Sequence, residues 1–190
     1  MSNRIFFTSD LHFGHNREFI WKERGFSSID EMNETIVERW NNTVSSDDVV
    51  YVVGDLMLGG SEYHEKGLEL IKRLNGNIHI IAGNHDTDKR IELYKTLPNV
   101  VSVLHAERLK WNGYHFWLSH FPADTSNLEK ESLKQVTINI SGHTHSKHKF
   151  HKDIPYIYNV AVDAHNCTPV TVDEVITDIK EKIEECKKLL

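Results

Sequence analysis

Five short apolar runs in this sequence each end in a small group of polar residues, and that repetition constrains the fold more than any other feature. Ile5–Thr8 runs into Ser9-Asp10-Leu11-His12, residues 48–53 into Gly54-Asp55, and residues 78–82 into Gly83-Asn84-His85-Asp86. Tyr114–Leu118 runs into Ser119-His120, and Thr137–Ser141 into Gly142-His143-Thr144-His145. Apolar runs of this length read as buried strands. Ser28-Ile29-Asp30-Glu31 has the form of a capping box and opens a helix through Met32, Ile36, Val37 and Trp40. Residues 61–74 read as a second helix, and a further capping box, Thr171-Val172-Asp173-Glu174, starts a third. The stripe of that last helix carries Val175, Ile176, Ile179, Ile183 and Cys186. Strands that alternate with helices predict an α/β fold. In such folds, sites assemble at the carboxyl ends of strands.

Asn112-Gly113 predicts a tight hairpin between one long strand over 100–111 and the next over Tyr114–Leu118, and residues 156–162 predict a last strand. No internal repeat or linker divides the chain. At 190 residues, 39% hydrophobic and 26% charged, it suits one domain over 1–190 with a sizeable core. No apolar run is long enough to span a membrane, and the N-terminal apolar stretch is too short for a secretory signal. Two cysteines, Cys167 and Cys186, make no disulfide framework, so a cytoplasmic protein is expected. A net charge of −6 argues against broad binding to long duplex nucleic acid, which relies on cationic surface.

Histidine is in surplus, 13 residues in all, and its placement carries the chemistry. Asp10 and His12 stand two apart, so on an extended segment both side chains face the same way, and His143 and His145 repeat the spacing. Glycines before Asp55, Asn84 and His143 permit sharp turns or close backbone approach. Asp10, His12, Asp55, Asn84, His120, His143 and His145 are seven candidate ligands, too many for one ion that keeps open positions for water. Two ions sharing a carboxylate fit better. Imidazole and carboxylate donors without thiolate favour Mn, Fe, Zn, Co or Ni over Mg or Ca; ligand type does not choose among the five, and Mn is the expected metal.

The ordered set D-x-H, G-D, G-N-H-D, a lone H and G-H-x-H resembles the calcineurin-like metallophosphoesterase superfamily, in its small single-domain form. The resemblance spans residues 10–145. It implies a four-layer α/β/β/α sandwich of two mixed sheets and one divalent metal on Asp10, His12, Asp55 and His145. A second metal is implied on Asp55, Asn84, His120 and His143, with Asp55 bridging. His85 is then the substrate-facing histidine that stabilises the phosphoryl group or protonates the leaving oxygen, and Asp86 orients it. The implied reaction is hydrolysis of a phosphodiester or phosphomonoester by in-line attack of a metal-bound hydroxide, the diester favoured. A nucleotide or cyclic nucleotide is a candidate substrate.

His15, close to the first metal loop, is a candidate phosphate contact. Asn159 and Asp163 are possible supports of the site and stand outside the ligand set. The basic run over 147–152 is either a solvated face or an electrostatic lip for an anionic substrate. Two other functions share some features. His143-Thr144-His145-Ser146-Lys147-His148 mimics a metallo-β-lactamase-like motif, but lies late in the chain and has Lys147 where that motif wants Asp. A non-catalytic metal-binding scaffold of the same fold is the other, and it has no need of His85.

Overall fold

The computed structural model describes residues 3–60, 63–125 and 132–188. Its strands form two mixed sheets. In the first, β1 (Ile5–Thr8), β2 (Val49–Val52), β3 (Asn77–Ile81) and β4 (Val100–Leu104) run parallel. In the second, β5 (Glu107–Trp111) pairs antiparallel with β6 (Tyr114–Leu118), which continues in parallel to β7 (Thr137–Ser141) and β8 (Ile157–Asn159). A two-residue β9 (Val170–Thr171) closes the first sheet antiparallel to β1, giving the order β4-β3-β2-β1-β9.

Strand alternation gives the first sheet two buried faces. Phe6, Val50, Val52, Ile78 and Ile80 turn one way, onto Met32, Ile36, Val37 and Trp40 of helix α2 (Ile29–Thr43). The same cluster takes in Leu70 and Ile71 of α3 (His64–Lys72) and Tyr94 of α4 (Asp88–Tyr94). A four-residue helix, α1 (Glu18–Trp21), adds Ile20. Ile5, Phe7, Tyr51, Val53 and Ile81 turn the other way, onto Phe116, Leu118, Ile138, Ile140 and Tyr158 of the second sheet. Val172, Val175, Ile176 and Ile179 of α5 (Val172–Lys188) join that second cluster. The two mixed sheets with their helices are the α/β class expected from the sequence.

Local signals explain where elements start. Ser28 Oγ accepts from the Glu31 N–H at 3.1 Å, capping α2. Thr171 and Glu174 bond reciprocally at the start of α5, at 3.2 and 2.8 Å. Asn112 and Gly113 both have positive φ, +47° and +85°, the twist a two-residue hairpin needs. One expectation is corrected: residues 100–111 are not a single strand. The first part pairs with β3 and the second with β6, so the chain changes sheets at His105-Ala106. No glycine or proline marks that crossing. The second helix is observed from His64 to Lys72, while Ser61, where its pattern begins, lies outside the described residues.

The indole of Trp40, fully buried, donates to Asn75 O at 2.9 Å and fills the centre of the helix-facing core. Trp40→Ala is expected to destabilise the protein by about 3–5 kcal/mol through cavity formation. Urea denaturation measures it, and a loss below about 1 kcal/mol would contradict the assigned role.

Candidate metal centre

The carboxyl ends of β1, β2, β3, β6 and β7 each deliver one polar group of residues. The ends are drawn together by the backbone. Asp10 N donates to Gly54 O and His12 N to Asp55 O, each at 3.0 Å, joining the loops after β1 and β2. Ser9 bridges to Ala161 beyond β8, and Val162 N donates to Ser9 O at 3.1 Å, linking the two sheets at the same end. Asp10, His12, Asp55, His143 and His145 all lie at positive φ, between 48° and 69°. For non-glycine residues this backbone costs energy and persists only where the surroundings enforce it. The two-residue spacing of Asp10 and His12 therefore works through left-handed turns, not through the extended segment the sequence predicts. The glycines serve close approach. A Cβ on Gly83 would overlap Asp55 Oδ1, one on Gly142 would overlap Ser9 Oγ and Asp10 Oδ2, and one on Gly54 would overlap the His120 ring.

Two groups of donors result. Asp10, His12 and His145 present ligand atoms within 4.8 Å of one another, and so do Asp10, Asp55 and His120. Asp55 Oδ2 lies 3.8 Å from His12 Nε2 and 3.4 Å from His120 Nε2, so its carboxylate faces both groups. Asn84 Oδ1 stands 2.9 Å from both His120 Nε2 and His143 Nδ1. The seven sequence-predicted ligands are thus brought into one region. His85 is half-exposed, with Nε2 4.0 Å from Asp55 Oδ2. His15 lies at the edge, its ring tilted by 45° to that of His12 and 5.4 Å from it.

The donor chemistry fits cations. His120 Nδ1 lies 2.9 Å from the Val53 carbonyl, which can only accept, so Nδ1 carries the proton and Nε2 is left to face Asn84 and Asp55. His145 Nδ1 lies 3.2 Å from Asp163 Oδ2, which likewise assigns the proton to Nδ1. Its Nε2 then meets His12 Nε2 at 3.0 Å. Two ring nitrogens face to face need a proton or a cation between them.

The supports were only partly legible in the sequence. Arg24, buried, makes a two-pronged pair with Asp163 at 3.0 Å on each arm and also donates to Asp10 O at 2.8 Å. It locks the loop after β1 to the carboxylate behind His145. A lone arginine in the turn after α1 carries no sequence signal for this. Asp163 falls in the supporting position considered from the sequence, while Asn159 instead pins the Ser146 and His148 carbonyls, each at 2.9 Å. Asp86 differs from expectation. Its carboxylate accepts from the N–H groups of Asp55 and Gly83 at 2.7 and 2.8 Å and from Tyr94 Oη at 2.8 Å. It therefore shapes the loop backbone rather than orienting the His85 ring. Arg90 holds the same loop through the carbonyls of His85 and Gly59.

The chain belongs to the calcineurin-like phosphoesterase family, whose model matches residues 3–147. It is 33% identical over 184 residues to the uncharacterized protein MJ1445 of Methanocaldococcus jannaschii, covering 94% of this chain and 92% of that one. It is 28% identical to the gene 66 protein of Mycobacterium phage D29, over 95% of this chain and 99% of the phage protein. In structure it resembles AQ665 of Aquifex aeolicus, a protein of unknown function, with a TM-score of 0.71 at 23% identity over 93% of this chain and 99% of that one. Family membership removes the metallo-β-lactamase alternative. His148 also stands outside both donor groups.

Buried charges shape the titration of the centre. For Asp55, burial works to raise the pKa, but the hydrogen bond and charge of His120, the His85 N–H and the charge of His12 outweigh it and hold it at about 2. For Asp10, burial dominates and raises it. For His120, burial works downward, yet the hydrogen bond of Asp55 and the charges of Asp10 and Asp55 lift it to about 9. Burial also opposes the rise at His145, where the hydrogen bond it donates to Asp163 and the charge of Asp10 prevail. A histidine whose folded pKa exceeds its ordinary 6.5 contributes stability that is fully present below 6.5 and lost as pH rises through the folded value. Burial shifts His12, His15 and His143 the other way, and their opposite contribution is complete a little above 6.5, so the metal-free protein is expected to lose thermal stability from about pH 7.5 to 9. A chelator-treated sample whose Tm stays flat or climbs across that window would contradict the arrangement.

Proposed function

We propose that this protein hydrolyses a phosphoester, a phosphodiester in preference to a monoester, at two divalent transition-metal ions, manganese the expected pair. One observation carries the reading: seven donor side chains from five strand ends converge, in a chain of the calcineurin-like phosphoesterase family, with the Asp55 carboxylate facing both donor groups. Asp10, His12, Asp55 and His145 would hold one ion, and Asp55, Asn84, His120 and His143 the other. Ions bound there would supply positive charge against the phosphoryl oxygens and make bound water acidic, with a pKa of about 7. The protein's own groups do the rest. Asp163 and Arg24 fix the His145 ring so that Nε2 points inward. His85, half-exposed and beside Asp55, reaches the face where substrate enters and is placed to protonate the leaving oxygen as its bond to phosphorus breaks. His15 lines the same face and is placed to contact the phosphoryl group.

We read residues 1–190 as one domain, and its two unpaired cysteines, Cys167 and Cys186, suit the reducing cytoplasm. Among the described residues no helix is long and apolar enough to cross a membrane.

With Mn²⁺ the purified protein is expected to turn over bis-p-nitrophenyl phosphate faster than p-nitrophenyl phosphate. Asp55→Ala should cost more than the roughly 10–100-fold typical of residues that merely support ligands. His85→Ala should cost about 10²–10⁴-fold in kcat while metal content stays at the wild-type level. Undiminished turnover by the Asp55 variant would refute the assignment.

A further inference from the structure

Large apolar side chains exposed to water are few among the described residues: Phe19, Tyr63, Val101, Leu104 and Phe121. Two of them sit against histidines of the metal centre. The Phe121 ring lies 4.6 Å from that of His143 and 5.3 Å from that of His120, yet Phe121 remains 53% exposed. Phe19 is 64% exposed and meets His15 edge-on at 5.8 Å, and His15 in turn touches the ring of His12. A line of aromatic rings thus leaves each donor group and ends in a phenyl that faces water. Single apolar residues scattered over a surface need no explanation, but a pair at the mouth of a polar site does.

The backbone under Phe121 is held on both sides. Ser119 Oγ donates to Phe121 O at 2.9 Å, and Ala123 N donates to Asn139 Oδ1 at 2.9 Å. Asn139 is buried and fixed in turn by its amide, which donates to Trp117 O and to Ser119 Oγ at 3.1 and 2.9 Å. Pro122 restricts φ between the two anchors. The ring is therefore presented by a rigid loop and loses little freedom when a ligand covers it.

We propose that Phe121 is a stacking platform for the base of a nucleotide phosphoester. The inference deepens the proposed phosphoesterase function and rests on it for the position of the phosphoryl group. A phenyl ring has no polar atom, so it can recognise a partner only through its face, and planar rings are its natural complement. Base-on-aromatic stacking tolerates any base, because each has a π-face. Phe121 touches the rings of two donors and does not lie among the donor atoms. A planar group that reaches it therefore needs a spacer from phosphorus. The ribose of a nucleotide supplies that spacer, and a simple aryl phosphate lacks it.

The test is calorimetric titration of the Mn²⁺-loaded protein with AMP, ribose 5-phosphate and phenyl phosphate. AMP is expected to bind about five- to hundredfold more tightly than ribose 5-phosphate. Phe121→Leu keeps apolar bulk against His143 but has no π-face, and it should bring the two affinities together. Phe121→Tyr should keep them apart. Equal binding of AMP and ribose 5-phosphate by wild type, binding of neither, or a preference that survives in the leucine variant overturns the proposal. Phenyl phosphate bound as tightly as AMP overturns the nucleotide assignment. Should AMP be preferred through Phe121 while no phosphoester is hydrolysed, the hydrolytic reading fails and the stacking site stands.

Discussion

Two carboxylates, Asp10 and Asp55, lie buried at the end of one sheet, within reach of the same imidazoles. Removing a single charge from water costs several kcal/mol even after the surroundings relax, and two like charges close together cost more. The protein offsets that cost with a shell of donors. His143 N donates to both Asp10 oxygens at 3.0 and 3.3 Å, Ser9 Oγ donates to Asp10 at 2.6 Å, and His85 N donates to Asp55 at 3.0 Å. Negative charge remains in excess, and it calls for positive charge nearby. In the metal-free state protons on His120 and His145 supply part of it, and divalent cations can supply more.

That electrostatic demand explains the unusual backbone. Five of the seven donors sit at positive φ, a conformation usually left to glycine, and the three glycines before Asp55, Asn84 and His143 stand where a side chain would strike a donor or a neighbouring loop. The strain is held by residues outside the donor set. Arg24 and Asp163 tie the β1 loop to His145, and Asp86 with Tyr94 and Arg90 ties the β3 loop to the β2 loop. A substitution in this outer set acts on the centre through geometry, at a typical cost of about 10–100-fold in metal affinity.

Much of the architecture is legible in the sequence because strands, caps and the hairpin are set by neighbours. Ser28, Thr171 and Asn112-Gly113 each act within a few residues, and they mark the elements where expected. The seven donors are legible because each follows an apolar run. What escapes is what long-range contact decides. Residues 100–111 read as one strand, since nothing local marks the change of sheet at His105-Ala106. Elements α1, α4 and β9 are too short for periodicity to show. Arg24 gains its meaning from Asp163, 139 positions away, and Asp86 turns toward the backbone because Tyr94, one helix later, holds it there.

The central claim is that one carboxylate joins two cations. Anomalous diffraction from crystals grown with Mn²⁺ addresses it most directly. Two peaks about 3.5–4 Å apart are expected, with Asp55 between them, His12 and His145 on one side, and His120 and His143 on the other. A single peak, or a pair of peaks not joined by Asp55, would contradict the account.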